Sequence, residues 1–245
     1  MPQDGWVGGK DHLTADQAAR EQILQAMPTL RAIAQMSRRF LIDVVRELAA
    51  ERGIRQFLDI GSGLPTADNT HEVAQRAAPD ARIVYADYDP VVITRARALL
   101  TSTPGGMTDY IQADARNPEV ILSAARRTLD FSKPVAVILI FVMHFVPDAE
   151  RPHDVVRRLV EPLPPGSFLV MAHAARDIAA DFMAAGADAY NDRVTAQITP
   201  RDRVAVSRFF DGLEMNGPGV VPLAQWFGAS DDRGLQAYCG VGRKP

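Results

Sequence analysis

The chain has 245 residues, with 27 basic and 30 acidic side chains, a net charge of −3 and 47% hydrophobic content. That apolar share supports a core of α/β size, expected as one domain over 1–245, and the mild negative charge gives no footprint for a nucleic-acid partner. The lone cysteine, Cys239, excludes an intrachain disulfide and disfavours a cysteine-built metal centre; a reducing cytoplasm fits it best.

Two helices are expected first, over 14–27 and 30–52, separated by Pro28. They form an N-terminal helical segment (1–53) that could act as a lid. In the second, Leu30, Ile33, Phe40, Leu41, Val44, Val45 and Leu48 recur at helical spacing and Gly53 stops the run. The pattern then becomes alternation. Short apolar runs at 56–60, 82–86, 109–112, 135–142 and 167–172 are separated by helical patterns at 69–78, 90–101, 117–127 and 151–160. Such alternation implies right-handed βαβ units and a parallel sheet, here a cofactor-binding core over 54–173. VAVILIFV (135–142) has no polar face, as expected of a central strand covered on both sides. Helices are expected at 175–187 and 200–210. The stretches 219–223 and 235–242 read as neighbouring antiparallel strands, because no helical crossover separates them. Residues 174–245 are expected to hold a substrate-side insertion and the final strands. No apolar stretch is long enough to cross a bilayer, and MPQDGWVGGKDH lacks the apolar block of a signal peptide.

The stretch FLDIGSGLPTADNTH (57–71) turns from strand to helix through Gly61-Ser62-Gly63. In open α/β sheets ligands lie beyond the carboxyl ends of the strands. Two glycines there allow a sharp turn and close backbone approach, because no Cβ intrudes and positive φ is accessible. Asn69 and Glu72 have capping-box spacing. Asp59 ends the strand, and Asp87 ends the next one, where a carboxylate can accept both ribose hydroxyls. Thr66 stands where the dinucleotide fingerprint needs its third glycine, which weakens NAD. The phosphate loop with its Lys-Ser/Thr is absent. Ser62 sits too close to both glycines for a hydrolase elbow. A cofactor with ribose and adenine but no phosphate remains.

LDIGSG, VYADYDP and IQADA, taken in order, resemble the motifs of class I S-adenosylmethionine-dependent methyltransferases. A closer likeness is to the actinobacterial S-adenosyl methyltransferases, whose substrates are largely unassigned. It is carried by GGKDH (8–12), QFLDIGSGLPT (56–66), NTHEVAQ (69–75), IVYADYDPVV (83–92), RALL (97–100), HFVPD (144–148), LPPGSFLV (163–170), RFFDGLE (208–214) and PGVVPL (218–223). The resemblance implies a Rossmann-like, seven-stranded, mostly parallel sheet whose last strand is antiparallel, with extra N-terminal helices. It implies S-adenosyl-L-methionine as cofactor. Asp59, Gly61 and Gly63 would lie around its methionine part and ribose, Asp87 at the ribose hydroxyls, Asp114 and Ala115 beside adenine, and Lys10 in a segment closing over it. The hydroxyls of Ser62 and Thr66 lie within the same loop.

Asp89 precedes Pro90 and so has a sufficient role as helix cap. His71 sits in the first turn of a helix and reads as a neutral hydrogen-bonding residue. His144, after the central strand, and His173, ending the fifth, are candidate general bases, with packed rim histidines as the plainer alternative. No two histidines have metal-ligand spacing, so no metal is expected. The activity expected is methyl transfer to a small or medium-sized organic acceptor. A binding protein without transferase activity and an NAD-linked oxidoreductase are the alternatives.

Overall fold

The structure is a computed structural model that describes residues 29–65, 67–180, 197–231 and 234–245. The helix expected at 14–27, Lys10, Thr66 and residues 181–187 of the helix expected at 175–187 lie outside these residues. In chain order the elements are α1 (Leu30–Ala50), β1 (Gln56–Ile60), α2 (Thr70–Ala77), β2 (Arg82–Asp87), α3 (Pro90–Leu99), β3 (Met107–Gln112), α4 (Pro118–Ala125), β4 (Ala136–Ile140), α5 (Pro152–Val160), β5 (Phe168–Ala174), α6 (Arg203–Ser207), β6 (Glu214–Pro222), α7 (Leu223–Trp226) and β7 (Ala237–Arg243). Single 3₁₀ turns occupy Met143–Phe145, Asp148–Glu150 and Arg208–Phe210.

The seven strands form one sheet in the order β3-β2-β1-β4-β5-β7-β6. Pairing from β3 through β5 is parallel, and β7 runs antiparallel to both β5 and β6. The order reverses between β1 and β4, so the crevice at their carboxyl ends is the switch point. Side chains alternate between two cores. Phe57, Ile83, Ala136 and Ile138 pack under α1, α2 and α3; Leu58, Ile60, Val137 and Leu139 pack under α4 and α5. The stripe of α1 that buries Ile33, Phe40, Leu41, Val44, Val45 and Leu48 is the one read from its spacing. Each fully buried side chain of this size contributes about 1.5–3 kcal/mol.

Three of the boundaries that differ from the sequence reading have a clear physical cause. The central strand stops at Ile140 rather than 142, because Phe141 adopts φ 55° and turns the chain. Residues 176–179 form bends rather than the start of a helix. The edge strand β6 begins at Glu214, five residues before the apolar stretch at 219–223, because its first half is exposed and carries a register irregularity between Asn216 and Val221.

Candidate active site

The carboxyl ends of β1 and β2 bring the glycine loop and two acids together. Gly61 has φ +72°, and a Cβ there would lie 2.3 Å from Val142 Cγ2. Its N–H donates to Ala86 O at 2.7 Å. Gly63 has φ +65°, and its N–H donates to Asp87 Oδ2 at 3.0 Å. The other oxygen of Asp87 accepts from the Asp89 N–H at 3.0 Å. Asp87 therefore braces the loop. Burial raises its pKa, and backbone N–H donors, those of Asp89 and Gly63 foremost and that of Tyr88 after them, oppose the rise. Asp89 caps α3 through the Val91 N–H, as its position before Pro90 implies.

Asp59 is buried, and Thr70 Oγ1 donates to its Oδ2 at 2.6 Å. Desolvation lifts its pKa to about 6, against the opposing effects of Thr70 and Arg38. The capping box holds the start of α2: the Asn69 N–H donates to Glu72 Oε2 at 2.6 Å. His71 is buried, with Nδ1 2.9 Å from Tyr85 Oη, and burial holds it below the usual histidine range. It is a local structural residue. Arg38, Asp59, Ser62, Gly63 and Thr70 line a narrow cleft between α1 and the loop. Half-buried Ser62 lies in that wall.

Asp114 and half-buried Ala115 follow β3 at the same edge of the sheet, tied to it by the Ala113 N–H donating to Asp87 O at 2.9 Å. Arg116 grips the Asp114 carboxylate through its main-chain N–H and its guanidinium, and holds it below the usual carboxylate range. The same guanidinium reaches Glu150 Oε2 at 3.2 Å, linking the loops after β3 and β4. Tyr88, beside Asp87, is 56% exposed and offers an aromatic face at this rim.

The second group lies after β4. Phe141 holds its left-handed φ because its N–H donates to Ala172 O at 2.8 Å. Strain of this kind costs about 1–3 kcal/mol and persists where the surroundings enforce it. Val142 then packs against Gly61, so the turn and the glycine loop form one wall. His144 follows, buried, with its ring 4.2 Å from that of Phe145 and 5.9 Å from that of His173. Its Nδ1 is buried with no hydrogen-bond partner among the described residues. Desolvation holds its pKa well below 6.5, with His173 and Arg201 adding to the effect.

His173 is fully enclosed. Arg201 Nη1 donates to its Nε2 at 2.9 Å, and Nδ1 lies 2.8 Å from Ala174 O. A guanidinium only donates, so Nε2 accepts and Nδ1 carries the proton. Burial lowers the His173 pKa to about 3. Arg201 itself is buried and also donates to Met143 O, Val146 O and Asp148 Oδ1. It thereby clamps the turn carrying His144 to β5. Neither Arg38 nor Arg201 stood out in the sequence, because each lies among other charged residues with no marking pattern.

The model of the S-adenosyl methyltransferase family matches residues 3–245. A crystal structure of a DUF574 family protein from Streptomyces avermitilis is 40% identical, with a TM-score of 0.93, covering 100% of this chain and 96% of that one. A Thermobifida fusca protein, provisionally named a methyltransferase, is 37% identical with a TM-score of 0.90, over 99% of this chain and 93% of that one. The N-methyltransferase NodS from Bradyrhizobium japonicum, solved with S-adenosyl-L-homocysteine, shares the fold at 16% identity and a TM-score of 0.50, over 85% and 88% of the two chains. No curated protein matches. The likeness displaces the NAD-linked and binding-only alternatives: this chain belongs to the S-adenosyl methyltransferase family and is an S-adenosylmethionine-dependent methyltransferase.

Proposed function

We propose that the site transfers a methyl group to a small or medium-sized organic acceptor, with the nucleoside held along the glycine loop and the acceptor at the Phe141–His144 turn. The observation that carries this reading is the Gly63–Asp87 contact, which ties a carboxylate at the tip of β2 to the glycine loop after β1. The residues fit the cofactor. A Cβ on Gly61 would fill the space that the turn leaves against Val142, and a carboxylate such as Asp87 has a lone pair beyond those used by the Gly63, Asp89 and Tyr88 amides. Asp87 would accept the ribose hydroxyls. The backbone of Gly61–Gly63, with Ser62, would line the thioether side, and Asp59 would face the amino-acid tail. Asp114, Ala115 and the exposed ring of Tyr88 would border adenine. Lys10 and Thr66 remain candidates from the sequence for the lid and the loop.

When bound, S-adenosylmethionine supplies an already activated methyl group. The protein then has to position the acceptor and exclude water, and well-oriented reactions gain roughly 7–11 kcal/mol from positioning. His144 Nδ1 has no partner among the described residues, so it would be the atom to receive a proton from an acceptor O–H or N–H; burial disfavours the charged ring, so that proton would have to pass on rather than stay. His173 has both ring nitrogens engaged and serves as a positioning residue that fixes the Arg201 clamp. The solved neighbours act on dissimilar acceptors: one is an N-methyltransferase, another a plantazolicin methyltransferase. At such low identity they share only the fold with this chain.

The test is isothermal titration with S-adenosyl-L-homocysteine, followed by a screen of small hydroxyl and amine acceptors for S-adenosyl-L-homocysteine release. Asp87→Ala should bind at least about tenfold more weakly, the scale of one lost charge-assisted hydrogen bond. Unchanged affinity would remove Asp87 from the site. Sustained turnover only on macromolecular acceptors would reject the small-acceptor reading.

A further inference from the structure

Arg38 lies two turns into α1, on the helix that covers the β1 end of the sheet. Its flanks, Ser37 and Arg39, suggest an ordinary polar face, yet it is half-buried. One guanidinium nitrogen, Nη2, donates to Ala67 O at 2.7 Å in the loop beyond Gly63. The Nε–H is buried and has no hydrogen-bond partner among the described residues. A buried charged donor left unpaired costs more than a neutral one. Such a cost is retained where the group meets a ligand.

What the group faces is also specific. Arg38 and Asp59 line the same cleft, together with Ser62, Gly63 and Thr70. Asp59 and Tyr85 are cross-strand partners in β1 and β2, and Tyr85 belongs to the core beneath α1, so the carboxylate lies on the α1 face of the sheet. The Asp59 oxygen Oδ2 is taken by Thr70, while Arg38 spends its visible bond on Ala67. The two opposite charges act on each other through space. Neither is the other's hydrogen-bond partner. A cation and an anion held in one cleft without closing on each other form a receptor for a zwitterion. The ammonium of an α-amino acid goes to the carboxylate, and its carboxylate goes to the guanidinium. Arginine suits that partner, because Nε–H and an Nη–H form a fork that matches two carboxylate oxygens.

We infer that Arg38 is the binding residue for the carboxylate of the cofactor's amino-acid tail, with Nε–H as a donor, and that it makes the site discriminate amino-acid-bearing nucleosides from truncated ones. The inference rests on the proposed placement of the nucleoside along the glycine loop. It adds a contact from α1, outside the strand-end motifs on which that placement stands.

The test uses the full chain and three thioether ligands: S-adenosyl-L-homocysteine, its decarboxylated analogue that keeps the amine, and 5′-methylthioadenosine. Affinities are measured by calorimetry for the wild type, Arg38→Gln and Arg38→Lys. In the wild type, removal of the carboxylate from the ligand should weaken binding roughly tenfold to a hundredfold. In Arg38→Gln, S-adenosyl-L-homocysteine should weaken by a similar factor, while the decarboxylated ligand and 5′-methylthioadenosine change less than about threefold. Arg38→Lys keeps the charge but not the fork, and should fall between. Equal losses for all three ligands in both variants would mean that Arg38 only supports the fold, and would overturn the inference. So would full-strength S-adenosyl-L-homocysteine binding in Arg38→Gln. Failure of the wild type to bind any of the three would overturn the nucleoside placement itself, and the Arg38 inference with it.

Discussion

The Gly63 N–H donates to Asp87 Oδ2 across 3.0 Å, joining the loop after β1 to the tip of β2. A side chain expected only to meet a ligand thus also shapes the loop that meets it. Asp87→Ala should release the loop, and hydrogen exchange at the Gly63 amide should rise by at least about tenfold. Asp87→Asn keeps an acceptor oxygen and should protect the amide better than Ala does. Unchanged exchange in Asp87→Ala would show that the contact does not order the loop.

Gly61 carries two constraints, and they can be separated. Its φ of +72° disfavours any side chain, and its Cβ would meet Val142 Cγ2 at 2.3 Å. Gly61→Ala should destabilise the chain by about 1–3 kcal/mol in urea unfolding. Combining it with Val142→Ala relieves the clash but not the backbone strain, so the double variant should recover part of the loss relative to Val142→Ala alone. Additive losses would mean that the Val142 contact does not matter.

Asp59 trades stability for charge placement. Its folded pKa of about 6 lies above the unfolded value, so the native state binds the extra proton between roughly pH 4 and 6. Stability from this group is therefore highest when the carboxyl is protonated and falls as pH rises through 6. Asp59→Asn should raise the stability of the ligand-free protein at pH 7 by on the order of 1–3 kcal/mol and show little gain at pH 4. It should also weaken S-adenosyl-L-homocysteine binding. Thermal melts at the two pH values check the first part. A gain as large at pH 4 as at pH 7 would contradict the assignment.

Legibility in the sequence followed local determination. The strands β1, β2, β4 and β5 showed as short apolar runs because both faces are covered, and Asp89-Pro90 marked the start of α3 because capping is a local matter. Gly61 and Gly63 were legible for the same reason. Arg38 and Arg201 were not. Each is surrounded by polar neighbours in sequence, and only the docking of α1 on β1, or of residues 199–201 on β5, removes it from water. The run 135–142 hid its turn because Phe141 is apolar whether it continues the strand or reverses it. β6 hid its first half because an exposed edge leaves no hydrophobic alternation.

The paired histidines yield a spectroscopic prediction. Burial holds the folded pKa of His144 and His173 below the unfolded value near 6.5. The stability they favour is present above pH 6.5 and is lost as pH falls toward the folded values. Ring carbon shifts in NMR should show His173 neutral from pH 8 to 5, as the Nδ1–H tautomer held by Arg201, and His144 neutral at pH 7. Titration of His173 near pH 6.5 would mean that the Arg201 bond is not formed in solution.

The account rests most heavily on where the nucleoside sits. A crystal structure grown with S-adenosyl-L-homocysteine tests it directly. It should show the ribose hydroxyls on Asp87, the thioether along Gly61–Gly63 and adenine beside Asp114 and Ala115. Density for the nucleoside elsewhere, with Asp87 still bonded only to backbone amides, would contradict it.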